Sequence, residues 1–272
     1  MPLNSIIARQ ALWASGRWPG HSGRRAPSLE ANLIMPMAPE VRQQFAAGGG
    51  GELGEVGKPG KMSSLRSSSA LGYNFFAPWR GVADLAPVAR SLEERLADDS
   101  VGFERKFPHG LSTEPPNLDV LLDGTQARPL AIECKFTEPY GPKHPHLPIA
   151  DKYFAGGRTR WADVGLPKCQ QLAAAIGRDI SFTRLGAGQL MKHLLGLAYT
   201  TKAAPRLLCL WYDTQCEEAA QHSEELARFR GHIVGEVDLK FTTYQRAFEH
   251  LTRSAEPVPG YLDYLATRYF AV

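Results

Sequence analysis

Sequence rich in Gly, Pro, Ser and Arg runs from Met1 to about Met62 with one short helical stretch, Pro39 to Ala47, and apolar periodicity takes over from Ser63. Ser63 to Gly81 joins a Ser-rich cap to Leu71, Tyr73, Phe75, Phe76 and Trp79. That aromatic density reads most simply as core packing, although aromatic faces also stack on bases. From Val82 to Ala97, Leu85, Val88, Ala89, Leu92 and Leu96 share one helical face, which predicts an amphipathic helix interrupted at Pro87 and ended by Asp98-Asp99.

Three short strands are predicted next, over Gly102 to Phe107, Asn117 to Leu122 and Pro129 to Phe136. The intervening PHGLSTEPP and DGTQAR are full of turn residues, so an antiparallel meander is the economical connection. After a polar, Pro-rich stretch from Thr137 to Pro148, helices are expected over Pro167 to Ile176 and Gly186 to Tyr199, a buried strand over Leu207 to Tyr212 and a helix over Glu217 to Phe229. A strand over Val237 to Thr242 and helices over Tyr244 to Thr252 and Tyr261 to Phe270 complete the pattern. This order predicts an α/β fold, a mixed central sheet flanked by helices, in one domain from about 63 to 272.

Composition narrows the classes. With 272 residues and 43% hydrophobic content the chain has a core to bury, and no run reaches the roughly 18 apolar residues of a membrane span. Residues 1–62 are expected to form a mobile tail, or to be sequence ahead of a start at Met35, Met37 or Met62, because so few apolar side chains cannot offset ordering entropy. They hold 7 Lys+Arg and 4 Asp+Glu, so the whole formal excess of +3 lies there and the remainder is neutral. Net charge therefore gives no argument for nucleic acid. Four cysteines without zinc or disulfide spacing, and an N-terminus whose apolar run is broken by Arg9 and Gln10, point to the reducing cytoplasm.

The chemistry-bearing stretch is Pro116 to Leu122 followed by Leu130 to Phe136. Strand alternation sends Leu130, Ile132, Cys134 and Phe136 to one face and Ala131, Glu133 and Lys135 to the other. Pairing of adjacent strands would bring the Asp119 carboxylate beside Glu133. Two carboxylates on rigid neighbouring strands suit a hard divalent cation, and a lysine two residues on can orient or deprotonate a water or steady charge on phosphate. Standing alone, Glu133-x-Lys135 would be a surface salt bridge on a solvated sheet face.

An Asp in a Pro-x-x-Asp context, a hairpin and an apolar run ending in Glu-x-Lys resemble the PD-(D/E)XK nuclease superfamily, with Pro116, Asp119, Glu133 and Lys135 at the matching positions over about twenty residues. Asn117-Leu118 stands between Pro and Asp, where the signature commonly has them adjacent. The resemblance implies a restriction-endonuclease-like fold and Mg²⁺ or Mn²⁺ held by Asp119, Glu133 and the Cys134 backbone carbonyl, with Lys135 positioning or activating the attacking water. It also implies an acidic residue on the preceding helix. Glu93, on the flank of the apolar face, is better placed than the solvent-facing Glu94, and Glu104 on the first strand is its rival. Gln189-Leu-Met-Lys-His193 is similar to the Gln-x-x-x-Tyr helix of RecB-like members, with His193 in place of Tyr. Gln189 is expected at the site, while His193 reads better as a core or edge histidine. The segment Ser67-Ser68-Ser69-Ala70 with Asn74-Phe75-Phe76 is similar to the entry helix of a bacterial restriction-endonuclease-like subgroup.

His144-Pro-His146 with Cys134 or Asp151 offers a poorer metal site on a Pro-rich loop, and no nucleophile elbow, P-loop or dinucleotide fingerprint is present. Arg158, Arg160, Lys168 and Arg178 around Trp161 form a basic region open to either phosphate contact or plain solvation. The expectation is thus a metal-dependent deoxyribonuclease with DNA as partner, and a homodimer if both strands are cut. A non-cleaving nucleic-acid-binding module on the same fold is the alternative, and a protein in which the motif is coincidental is the third.

Overall fold

The computed structural model describes residues 2–55, 57–94, 99–111, 114–124, 128–142 and 147–270. Helices α1 (Pro2–Arg17) and α2 (Pro39–Gly48) come first, then a small hairpin of β1 (Gly54–Glu55) and β2 (Lys58–Pro59). Helices α3 (Ser68–Phe76) and α4 (Ala86–Ser91) precede the meander β3 (Asp99–Lys106), β4 (Asn117–Gly124) and β5 (Leu130–Lys135). The chain continues through α5 (Pro167–Ala175), α6 (Ala187–Thr201), β6 (Arg206–Trp211), α7 (Glu217–His232) and β7 (Asp238–Thr243). It closes with α8 (Tyr244–Leu251) and α9 (Tyr261–Leu265), which runs on as a π-helical turn over Ala266–Phe270.

The main sheet is five-stranded in the order β3-β4-β5-β6-β7, antiparallel through β5 and parallel from β5 to β7. A parallel pair needs a crossover, and α5 and α6 supply it between β5 and β6. Both faces of central β5 are covered, which explains its near-continuous apolar run. On the Cys134 face lies α3, where an added Cβ on Gly72 would stand 3.2 Å from the Cys134 sulfur, so the glycine permits the close approach. On the Glu133 face α6 buries Leu190, Met191, Leu194 and Leu195, and the Trp161 indole ties it by donating to the Met191 carbonyl at 2.9 Å.

Two expectations are corrected. Residues 1–62 are not a tail where they are described: α1 and α2 are helical, and Ile6, Leu33, Val41, Phe45 and Met62 are buried in the same core as β4 and β5. Their apolar side chains are too scattered to show a local period, and contacts with distant residues offset the ordering entropy. The helix foreseen over Val82 to Ala97 is shorter. Pro87 sits in the first turn of α4, where a missing N–H costs nothing, so it starts the helix instead of interrupting it. The helix ends at Ser91, and Glu93 takes φ = 57°. Residues 95–98, and with them Leu96 and Asp98, lie outside the described residues, as does His144-Pro-His146.

Candidate active site

The sheet register lines up three carboxylates. Phe103 pairs with Val120 and Arg105 with Leu118, which sets Glu104 level with Asp119. Val120 pairs with Ile132, so one step further Asp119 is level with Glu133. Regular pairing gives way along this row. Glu104 adopts φ = 48°, an uncommon conformation for a residue with a Cβ, and the β4–β5 ladder stops at Val120 and Ile132. In the opened gap the Cys134 N–H donates to Asp119 Oδ2 at 2.7 Å. The Lys135 carbonyl accepts from the Tyr212 N–H on the β6 side, so by strand alternation the Cys134 carbonyl faces the same gap as its N–H.

Glu133 is 1% exposed, and its partners come from its own strand and from α6. Lys135 Nζ lies 2.5 Å from Glu133 Oε1 and donates to Gln189 Oε1 at 3.1 Å. His193 Nε2 stands 3.0 Å from Glu133 Oε2, but the ring N–H is not aligned, and both atoms lack a hydrogen-bond partner among the described residues. The i, i+4 spacing of Gln189 and His193 therefore places both against the same Glu-x-Lys pair. His193 is buried, as its core reading anticipates, yet it faces the carboxylate.

The site holds more negative charge than Lys135 balances. Burial, then the charges of Glu133 and Glu104, push the Asp119 carboxyl well above its usual range, against the pull of Lys135 and the Cys134 N–H. Burial acts the same way on Glu133, but Lys135 and His193 outweigh it and keep that carboxyl below its usual range. Burial, Glu52 and Glu133 raise Glu104 to about 7, although Asn117 opposes them. For Lys135, burial favours the neutral amine, yet Glu133, Glu138 and Asp119 together hold it firmly as the ammonium.

The donor set fits a cation that keeps much of its water. Among the described residues no three Asp, Glu, His or Cys side chains form a ready metal cage. Asp119, the Glu133 oxygen without a hydrogen-bond partner and the Cys134 carbonyl offer oxygen ligands around one gap, and Mg²⁺ characteristically takes one or two carboxylates plus waters.

Asp119, Glu133, Cys134, Lys135 and Gln189 are thus brought together, and Glu93 is not. Its exposed carboxylate pairs with Arg246 at 2.5 Å on the surface of α8, while Glu94 pairs with Arg206 and Lys240 where β6 begins. Glu104 occupies the place the acidic residue on the helix was expected to fill. Sequence reasoning missed Glu52 and Glu138, whose charges act on Glu104 and Lys135 respectively. Glu138 accepts from the Phe136 and Thr137 N–H groups at 2.8 and 2.9 Å, a local turn bond that Glu after Lys-Phe-Thr foreshadows. Glu52 had no local signal, since the segment carrying it shows no period.

The loop entering α6 is itself anchored. Glu225 on α7 accepts from the Thr183, Arg184 and Leu185 N–H groups at 2.7, 2.8 and 2.8 Å and from the Thr183 hydroxyl at 2.8 Å. Burial opposes its ionisation, but these donors prevail and lower its pKa below the ordinary 4.5. A lowered folded value means that the stability Glu225 contributes is present above the unfolded pKa and is lost as pH falls through the folded one. Thermal scans over the acid range are expected to show wild type losing stability more steeply below 4.5 than Glu225→Gln does. Parallel curves for the two proteins would overturn this role.

An α/β chain with a five-stranded mixed sheet, helices on both faces and carboxylates in a row at the opened β4–β5 junction is restriction-endonuclease-like. Residues 8–270 match the family model described as Restriction Endonuclease associating with ARP, and the chain belongs to that family. No curated protein and no solved structure matches it. No helix among the described residues is long and apolar enough to cross a membrane.

Proposed function

We propose that the protein is a DNA phosphodiesterase of the PD-(D/E)XK type, dependent on Mg²⁺ or Mn²⁺. The observation that carries this reading is the alignment of Asp119 with Glu133 across an opened strand junction, with Lys135 bonded to both Glu133 and Gln189. Asp119, Glu133 and the Cys134 carbonyl would hold the cation, which when bound polarises the phosphate and lowers the pKa of a water.

Lys135 serves as a positive charge and hydrogen-bond donor. Held beside Glu133 and Gln189, it would position or activate the attacking water, or steady negative charge developing on the phosphate. Gln189 fixes the direction of the ammonium, and Glu104 adds a third, partly ionised carboxyl on the far side of Asp119. Family membership supports nucleic acid as the substrate, and the family description extends the reading to a protein partner.

Of linear, circular, duplex and single-stranded DNA, at least one form should be cleaved with Mg²⁺ and spared with EDTA, and Asp119→Asn should lose the Mg²⁺-dependent part while remaining folded. Binding of DNA by wild type with no cleavage under any divalent cation would favour a non-cleaving module. Full activity of Asp119→Asn would sink the assignment.

A further inference from the structure

We propose that a trench beside the carboxylate row binds a second phosphate group of the DNA strand, one that flanks the reacting phosphate. This rests on the nuclease reading and specifies how the strand is held.

Two adjoining cavities of about 360 and 380 Å³ share Ser64, Arg66 and Glu138, and together they make one trench. Glu52, Thr137 and Glu138 line it; Thr137 and Glu138 follow closely on Lys135 at the end of β5, and Glu138 accepts from the Phe136 N–H at 2.8 Å. The trench therefore opens beside the place where the reacting phosphate would lie. Its cations are Arg25, Lys61 and Arg66. Arg25 is fixed, its Nη1 donating to the Gly60 carbonyl and to the Ser63 hydroxyl at 2.7 Å each. Lys61 is 69% exposed, and its only carboxylate within ion-pair range among the described residues is Glu52, at 3.9 Å. The Nε of Arg66 is buried without a hydrogen-bond partner among the described residues. An unsatisfied guanidinium nitrogen costs free energy unless something anionic meets it.

The trench wall adds neutral donors. Ser67, Ser68 and Ser69 line it, and Ser67 caps α3 by accepting from the Ala70 N–H at 3.1 Å. The N–H groups of a first helical turn have no acceptor within the helix, so those of Ser68 and Ser69 complement the cations. The two glutamates argue against a free anion: they would repel it, and nothing would hold it in place. A phosphate on a strand already tethered at the reacting phosphate is different, because its approach costs little further entropy. Glu138 is committed to backbone N–H groups, which leaves Lys61 and Arg66 to meet the phosphate. Arg25 and Lys61, two of the basic residues that give residues 1–62 their excess charge, thus act where the core has none to spare.

The test is binding of short fluorescent duplex and single-stranded DNA by the full chain in EDTA, where cleavage is arrested, over a range of salt. Lys61→Met and Arg66→Met should each weaken binding about three- to tenfold and reduce the slope of log K against log salt by about 1. Arg253→Met, an exposed change just past α8 and outside the trench lining, should leave both unchanged. Lys61 is exposed, so its variant folds whatever Arg66→Met does. Weakening confined to 5′-phosphorylated strands assigns the trench to a terminal phosphate, and weakening with all strands assigns it to an internal one; both support the proposal. Wild-type affinity and salt slope for Lys61→Met, together with a folded Arg66→Met that behaves the same, overturn it. If wild type neither binds nor cleaves DNA, the nuclease reading itself fails, whereas cleavage by wild type with unaltered binding by the variants removes only the trench.

Discussion

Lys135→Met is expected to lower metal-dependent cleavage by about 10²- to 10³-fold, the scale on which preorganised charge at a developing anion acts. Lys135 lies among the charges of Asp119, Glu133 and Glu138, and it is tied to Glu133 at 2.5 Å and to Gln189 at 3.1 Å. A methionine fills similar volume but leaves buried Glu133 with only His193 beside it. A stability loss of about 1–3 kcal/mol should accompany the loss of activity. Lys135→Arg keeps the charge and changes the shape of the donor, so it should recover stability before it recovers turnover. If Lys135 and Asp119 act on one phosphate, as the proposed function has it, the double variant with Asp119→Asn should be little worse than either single one. Single-turnover cleavage beside denaturant titration separates the two effects, and a Lys135→Met protein that cuts at the wild-type rate would end the argument.

The second large effect lies far from the carboxylates. Arg268 is fully buried, and its partners are neutral: Gln10 Oε1 at 3.2 Å, the Asn32 carbonyl at 2.7 Å, Asn32 Oδ1 at 2.6 Å and the Tyr264 hydroxyl at 2.5 Å. The guanidinium also lies 4.1 Å from the Trp13 ring centroid and 4.8 Å from that of Tyr269. Arg268→Met orphans several buried acceptors at about 1–3 kcal/mol each, for a total of about 3–6 kcal/mol. Against a typical domain stability of about 5–15 kcal/mol, that is a large share. Urea titration should show the midpoint falling by that free energy divided by an unchanged slope, and a midpoint within error of wild type would refute the role given to Arg268.

The sequence made the middle of the molecule legible and left its edges obscure. Alternation in Leu130 to Phe136 and the turn residues before it located β3 to β5, and the same alternation placed Asp119, Glu133 and Lys135 on one face. The apolar face of α6 and the strand after it were equally readable, because each buries a periodic stripe against the sheet. Glu93 misled because a helical wheel assumes the helix continues, whereas α4 ends at Ser91. Glu52 and the order of α1 and α2 escaped because isolated residues such as Ile6, Val41 and Phe45 reveal their role only once distant chain has folded against them. His193 was half read: burial was foreseen, but its approach to Glu133 depends on how α6 is seated, and that is a tertiary fact.

The clamp around Arg268 also bears on the order in which the chain can close. Asn32, which accepts from Arg268, in turn donates to the carbonyls of Met62 and Ser64, and these sit beside Lys61 and Arg66 in the trench. A ribosome releases residue 10 and residue 32 long before residue 268, so a growing chain carries the carboxylate row before Gln10 and Asn32 have met their buried partner. Closure of the clamp then waits for translation to pass residue 268.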